Sequence, residues 1–123
     1  MKKFLLLMLL LVCLPSFAAN WVQYSEKGWY DISSWQRSGY IVRVWFKDLN
    51  DGTMKLIDNK KVWYDISYIQ ANCAERKINV KSIATYGLNG ELLYSNSWNY
   101  PDWQDVVPES KGELKYYILC NLK

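Results

Sequence analysis

The sequence predicts an α+β fold: an antiparallel β-sheet of about six short strands, a C-terminal helix packed on one face, and one disulfide. Three observations predict it. Short runs rich in β-branched and aromatic residues, several of them strictly alternating, recur from Trp21 to Ser95. After Pro108 the apolar period lengthens from two residues to about 3.6. Two cysteines, Cys73 and Cys120, remain once an N-terminal export segment is set aside.

That segment comes first. Lys2 and Lys3 form a charged start, Phe4 to Leu14 is an unbroken apolar run, and Pro15 breaks it. Ser16 and Ala18 then place small residues at the −3 and −1 positions of a cleavage site. Residues 1–18 are read as a signal peptide and residues 19–123 as a single domain. The apolar run is too short for a stable membrane anchor. Cys13 suggests a lipoprotein start instead, but Val12 in front of it is a poor match for that processing.

The first strand is read at Trp21 to Ser25 and the second at Gly28 to Ile32, after a Glu-Lys-Gly turn. In "YIVRVWFK", Tyr40, Val42, Val44 and Phe46 share one face and Ile41, Arg43, Trp45 and Lys47 the other. "DLNDG" at Asp48 to Gly52 turns the chain; as a calcium loop it lacks an oxygen ligand at its fifth position and a distal Glu. Lys61 to Ile66 is a further strand. "ERKINVKSIATY" alternates Ile78, Val80, Ser82, Ala84 and Tyr86 against Lys77, Asn79, Lys81, Ile83 and Thr85. Asn89-Gly90 suits a tight hairpin turn into a return strand from Glu91 to Ser95. "WYDIS" at Trp29 to Ser33 and again at Trp63 to Ser67 is read as two similar strand exits. Their Asp and Ser are available to bond nearby backbone amides.

In the tail, Leu114, Tyr117, Ile118 and Leu122 fall near one helical stripe. Pro108 suits the helix start and Glu109 its positive end.

Composition narrows function. Without Lys2 and Lys3 the 15 basic residues become 13, against 12 acidic ones, a net charge of about +1. The cations are scattered among acids, so no nucleic-acid surface is expected. There is no histidine, so no Ser-His or Cys-His nucleophile pair exists. Asp31, Asp65, Asp102 and Asp105 could supply acid-base pairs, but carboxylates at turns ordinarily cap them. No enzyme is expected, and no cofactor. Two cysteines in an exported domain usually pair. Two free buried thiols or a metal pair are the alternatives, and two sulfurs without histidine do not fill a tetrahedral zinc site.

Seven Trp and ten Tyr are more than a domain of this size hides easily. Trp98, Tyr100 and Trp103 lie in the Pro-containing "SNSWNYPDWQDVVP". This loop is either a hydrophobic lid over the sheet edge or a binding face. As a binding face it presents Trp98 and Tyr100, with Trp103 on the core side ahead of Val107.

The mature chain resembles the surface-adhesin protein E family of Gram-negative bacteria. The resemblance rests on Trp21, "YDIS" at Tyr30 to Ser33 and "VRVWF" at Val42 to Phe46, then "CAERKI" at Cys73 to Ile78. Tyr86 with Gly90, and "WQDVVPES" leading to Cys120, complete it. The resemblance implies a small antiparallel sheet with a C-terminal helix, and a disulfide onto which Cys73 and Cys120 map. It implies adhesion to a protein ligand such as a host matrix protein, and self-association as a homodimer. The poor lipoprotein signal at Cys13 leaves two destinations, the cell surface and the periplasm. The alternative to a binding module is a soluble periplasmic structural or accessory protein without host contact.

Overall fold

The computed structural model describes residues 18–50 and 56–122. Residues 1–17, which hold Cys13 and all but the last position of the expected signal peptide, and residues 51–55, which include the last two positions of "DLNDG", lie outside those residues. Six strands form the body of an antiparallel sheet. They are β1 (Trp21–Ser25), β2 (Gly28–Ser38), β3 (Ile41–Leu49), β5 (Lys60–Asn72), β6 (Lys77–Gly87) and β7 (Leu92–Ser97), in the spatial order β1-β2-β3-β5-β6-β7. Two two-residue strands add to it: β4 (Leu56–Ile57) on β5 and β8 (Gln104–Asp105) on β6. One helix, α1 (Lys111–Asn121), follows. Sequential antiparallel neighbours need only short turns, so the order is a meander of hairpins.

The strands run longer than their sequence signals. β2 continues six residues past Ile32, and β5 runs from Lys60 through Asn72. Both "WYDIS" copies therefore sit inside strands rather than at exits. In the first, Asp31 accepts hydrogen bonds from the Asn20 and Ser33 amides at 2.9 and 3.0 Å, and the Ser34 hydroxyl bonds the Asp31 carbonyl and the Trp45 amide. At the β2–β3 register shift after Asp31 these side chains satisfy the Ser33 and Trp45 amides and the Asp31 carbonyl, while the Asn20 amide ties the start of β1 to β2. In the second copy Asp65 instead accepts from the Thr85 hydroxyl.

The core lies between one face of the sheet and α1. Val42, Val44 and Phe46 of β3 are wholly buried there, as their alternation predicts, whereas Tyr40 falls in the preceding turn and is exposed. Ile69 and Ala71 pair with Val44 and Val42 on β5, and Val106, Tyr116 and Leu119 close the cluster. Gly28 is required beneath it, because the Tyr24 ring occupies the space a β-carbon would need. On β6 the predicted alternation breaks at a register shift. Val80 pairs with Ile69, but Ser82 pairs with Tyr68, so Lys81 is an extra residue. A bulge of one residue exchanges the two faces. Ile83 and Thr85 join the core side, while Ala84 and Tyr86 turn away.

The Asn89-Gly90 hairpin forms, with Gly90 at φ 81°, a conformation glycine adopts without strain. Cys73, in the turn after β5, is bonded to Cys120 of α1 across 47 residues. The helix starts later than Pro108 suggests. Ser110 is its N-cap, accepting from the Glu113 amide at 3.1 Å, while the Glu113 carboxylate accepts from the Glu109 amide at 3.2 Å. The Ser-x-x-Glu spacing is a capping-box signature. The buried face of α1 also differs from the expected stripe. Leu119 and Tyr116 face the sheet, whereas Leu114 and Tyr117 are exposed. At about 100° per residue the two stripes lie roughly half a turn apart. The disulfide and the Tyr116 hydroxyl, which donates to the Cys73 carbonyl at 3.3 Å, hold the Cys120 side inward.

Candidate binding site

The face of the sheet away from α1 is built by the other half of each alternation. Arg43, Gln70 and Asn79 stand side by side across β3, β5 and β6; Trp45, Tyr68 and Ser82 form the adjacent row. Lys47 and Tyr64 lie further along. This face is aromatic and cationic together. Trp45 meets Tyr68 edge-on with centroids 4.8 Å apart, and Tyr64 stacks on Tyr86 at 5.0 Å. The Lys47 ammonium lies 4.5 Å above the Tyr64 ring, and Lys81 lies 6.0 Å from Tyr68, within the range of cation–π attraction.

The loop between β7 and β8 crosses one end of this face. Two hydrogen bonds hold it: the Trp98 amide donates to the Lys81 carbonyl at 3.0 Å, and the Asp102 amide to the Asn79 side-chain Oδ1 at 3.1 Å. The first uses the bulged residue of β6. Between loop and sheet is a cavity of about 270 Å³, lined by Arg43, Gln70, Asn79, Lys81, Trp98 and Trp103 together with Ile41, Asn99 and Pro101. A second hollow, of about 290 Å³, lies on the other side of the loop between Trp98, Tyr100, Asn79 and Gln104.

Trp98 is 44% exposed and Tyr100 87%. Trp103 is half-buried but does not join the hydrophobic core; it walls the cavity on the far face, and Val106 is the loop residue that reaches the core. Val107 is exposed. The loop thus covers polar ground. Gln70 and Asn79 are 5% and 6% exposed. Burial is satisfied at their oxygens, since Gln70 Oε1 accepts from Arg43 Nε at 3.3 Å and Asn79 Oδ1 from the Asp102 amide. Sequence reading placed Arg43 and Asn79 on strand faces without a site role and left Gln70 unnamed. The signal available was weak: a polar Gln amid "SYIQAN", directly before a cysteine turn.

A larger cleft of about 450 Å³ opens on the helix side, between the β1–β2 turn, the end of β3 and Lys111 and Leu114 of α1. Two of its polar groups, Tyr24 and Asp48, are bonded to each other. The Tyr24 hydroxyl donates to Asp48, and the Lys115 ammonium bridges the same carboxylate at 2.7 Å. Burial, and then the bond to Asp48, push the Tyr24 hydroxyl pKa far above its ordinary value. That is a structural clamp of α1 onto β3. The four candidate carboxylates do not converge. Asp31 serves the β2 bulge and Asp65 takes Thr85. Asp102 lies in the loop, and Asp105 approaches Lys77 at 4.0 Å. Among the described residues no three potential metal ligands cluster, and no helix is long and apolar enough to cross a membrane.

Residues 21–121 match the family model for surface-adhesin protein E. Among solved structures, the chain is similar to protein E from non-typeable Haemophilus influenzae, with a TM-score of 0.54 at 12% identity, covering 88% of this chain and 81% of that one. At that identity the likeness concerns the fold. No curated protein matches the sequence.

Proposed function

The chain belongs to the surface-adhesin protein E family, and from that premise we propose that it is an exported, non-catalytic module that binds a protein ligand through the loop from Trp98 to Trp103. The observation that carries this reading is the loop itself. It projects Trp98 and Tyr100 into solvent while two hydrogen bonds to β6, one to its backbone and one to Asn79, hold it in place. Aromatic anchors on a pre-ordered loop lose little entropy on binding and supply much contact area. The proposed ligand class is a host matrix protein, reached after removal of residues 1–18 and display at the cell surface. Self-association into a homodimer belongs to the same proposal.

The test is solid-phase binding of the mature protein to a panel of matrix proteins. Tyr100→Ala and Trp98→Ala should each weaken the interaction by about 2 kcal/mol, the size of an interface hot spot. Unchanged binding in both variants would reject the loop as the contact. Cell fractionation separates this reading from a soluble periplasmic accessory protein: surface protease should cleave the displayed adhesin in intact cells and spare a periplasmic one. Mass spectrometry of the mature N-terminus should find an unmodified Ala19; a lipid on Cys13 would overturn that expectation.

A further inference from the structure

The cavity under the loop has a one-sided chemistry. Gln70 and Asn79 are more than nine-tenths buried, and both of their oxygens are occupied. Neither side-chain amide nitrogen donates to another described residue, and both residues line the cavity. Neither nitrogen is both sealed from solvent and unpaired, the one such side-chain atom among the described residues being Trp35 Nε1, so both stay open to an acceptor that enters the cavity. Beside them, Arg43 uses only its Nε, on Gln70, and Lys81 makes no ion pair among the described residues. No carboxylate lines this cavity. Its polar wall is therefore almost wholly donor and carries two positive charges. The facing wall is two indoles, Trp98 and Trp103.

Resting on the reading of this loop as the binding face, we propose that the cavity is a subsite for a carboxylated sugar residue of a glycan carried by the ligand. The carboxylate lies between Arg43 and Lys81, where charged hydrogen bonds are stronger than neutral ones. The ring hydroxyls accept from the Gln70 and Asn79 amides. The apolar face of the pyranose covers an indole. A lone side-chain carboxylate of an acidic peptide answers this site less well. It offers about four lone-pair sites against roughly eleven remaining N–H groups, and it brings no flat apolar face. The volume of about 270 Å³ is just below the roughly 300–1,000 Å³ of sites for drug-sized ligands, so the cavity takes one ring. The neighbouring Trp45 and Tyr68 row continues the platform for the next.

The experiment is a titration of isotope-labelled mature protein followed by NMR, using methyl glucuronide, methyl glucoside and N-acetyl-glutamate amide as probes. The glucuronide should shift the side-chain amide signals of Gln70 and Asn79 and the indole signals of Trp98 and Trp103, saturably. The glucoside and the glutamate derivative should bind at least about tenfold more weakly, one charged hydrogen bond's worth or more. Arg43→Gln and, separately, Lys81→Gln should each lower glucuronide affinity by a similar factor, with the remaining spectrum unchanged as proof of folding. Equal affinity for glucoside removes the role of charge and overturns the proposal. Equal affinity for the glutamate derivative overturns it in favour of an acidic peptide. Absence of shifts with all three overturns it outright. If the glucuronide is silent while Tyr100→Ala still weakens matrix binding, the subsite is wrong and the loop reading stands. If the glucuronide binds while both loop variants bind matrix normally, the loop reading fails on its own.

Discussion

Removing the bridge between Cys73 and Cys120 should cost this domain about 4 kcal/mol. The perturbation is the double variant Cys73→Ser/Cys120→Ser, which leaves no unpaired thiol. The magnitude follows from the 47-residue separation: the chain-entropy relation gives a loss of roughly 14 cal/mol/K for a loop of that length, about 4 kcal/mol at 25 °C. That is a large share of the 5–15 kcal/mol typical of a small domain. The native state should nonetheless survive, because other contacts hold the same elements. Arg76, three residues after Cys73, pairs with Glu113 at 2.6 Å and donates to the Tyr117 hydroxyl at 3.2 Å. Lys115 reaches Asp48 on the far end of β3, and Leu119 is fully buried. Urea unfolding of the oxidised protein and of the variant measures the difference. The slope m should rise in the variant, since an uncrosslinked unfolded chain exposes more surface. A loss below about 1 kcal/mol with an unchanged slope would refute the entropic argument. Loss of helical signal from the native variant before unfolding would show instead that α1 is held by the bridge alone.

Three further outcomes are expected. Leu119→Ala should destabilise by about 2–5 kcal/mol, as a buried leucine does, whereas Leu114→Ala should change stability by less than about 0.5 kcal/mol; denaturant midpoints decide, and equal effects would contradict the orientation of α1. Trp103→Ala should cost about 2 kcal/mol, roughly half the value for a fully buried tryptophan, while Tyr100→Ala should leave the melting temperature almost unmoved; equal losses would make the whole loop a lid. Tyr24 gives a pH signature. Its folded pKa is raised, so the native state keeps a proton that the unfolded chain releases above about pH 10. Its contribution is complete below that pH and declines as pH rises past it, so Tyr24→Phe should flatten the alkaline fall of the melting temperature, and an identical fall in both proteins would contradict the Tyr24–Asp48 clamp.

Much of the architecture was legible in local sequence because it depends on local physics. The alternation of Val42, Val44 and Phe46 places them on one face of any strand they form. Asn89-Gly90 suits a tight turn through glycine's freedom at positive φ, whatever surrounds it. The bridge was expected from the two cysteines left once the expected export segment is set aside, and the C-terminal period alone announced a helix. Ser110 and Glu113 carried a capping box that would have set the start of α1 correctly.

Other features needed partners distant in sequence. Nothing within "KINVKSIATY" marks Lys81 as an extra residue, because a bulge is a mismatch between two strands and β5 is the other half of it. One inserted residue then decides which of Ala84 or Thr85 faces the core. The helix offers two apolar stripes, Leu114 with Tyr117 and Tyr116 with Leu119. Only the position of Cys73 and of the β3 floor chooses between them. The candidate site belongs to this second class. Trp98 and Tyr100 stood out by residue type, but Arg43, Gln70 and Asn79 read as an ordinary polar face, each on a different strand. Their meaning comes from a loop that folds over them, buries the amides and turns three solvated side chains into one donor-lined cavity.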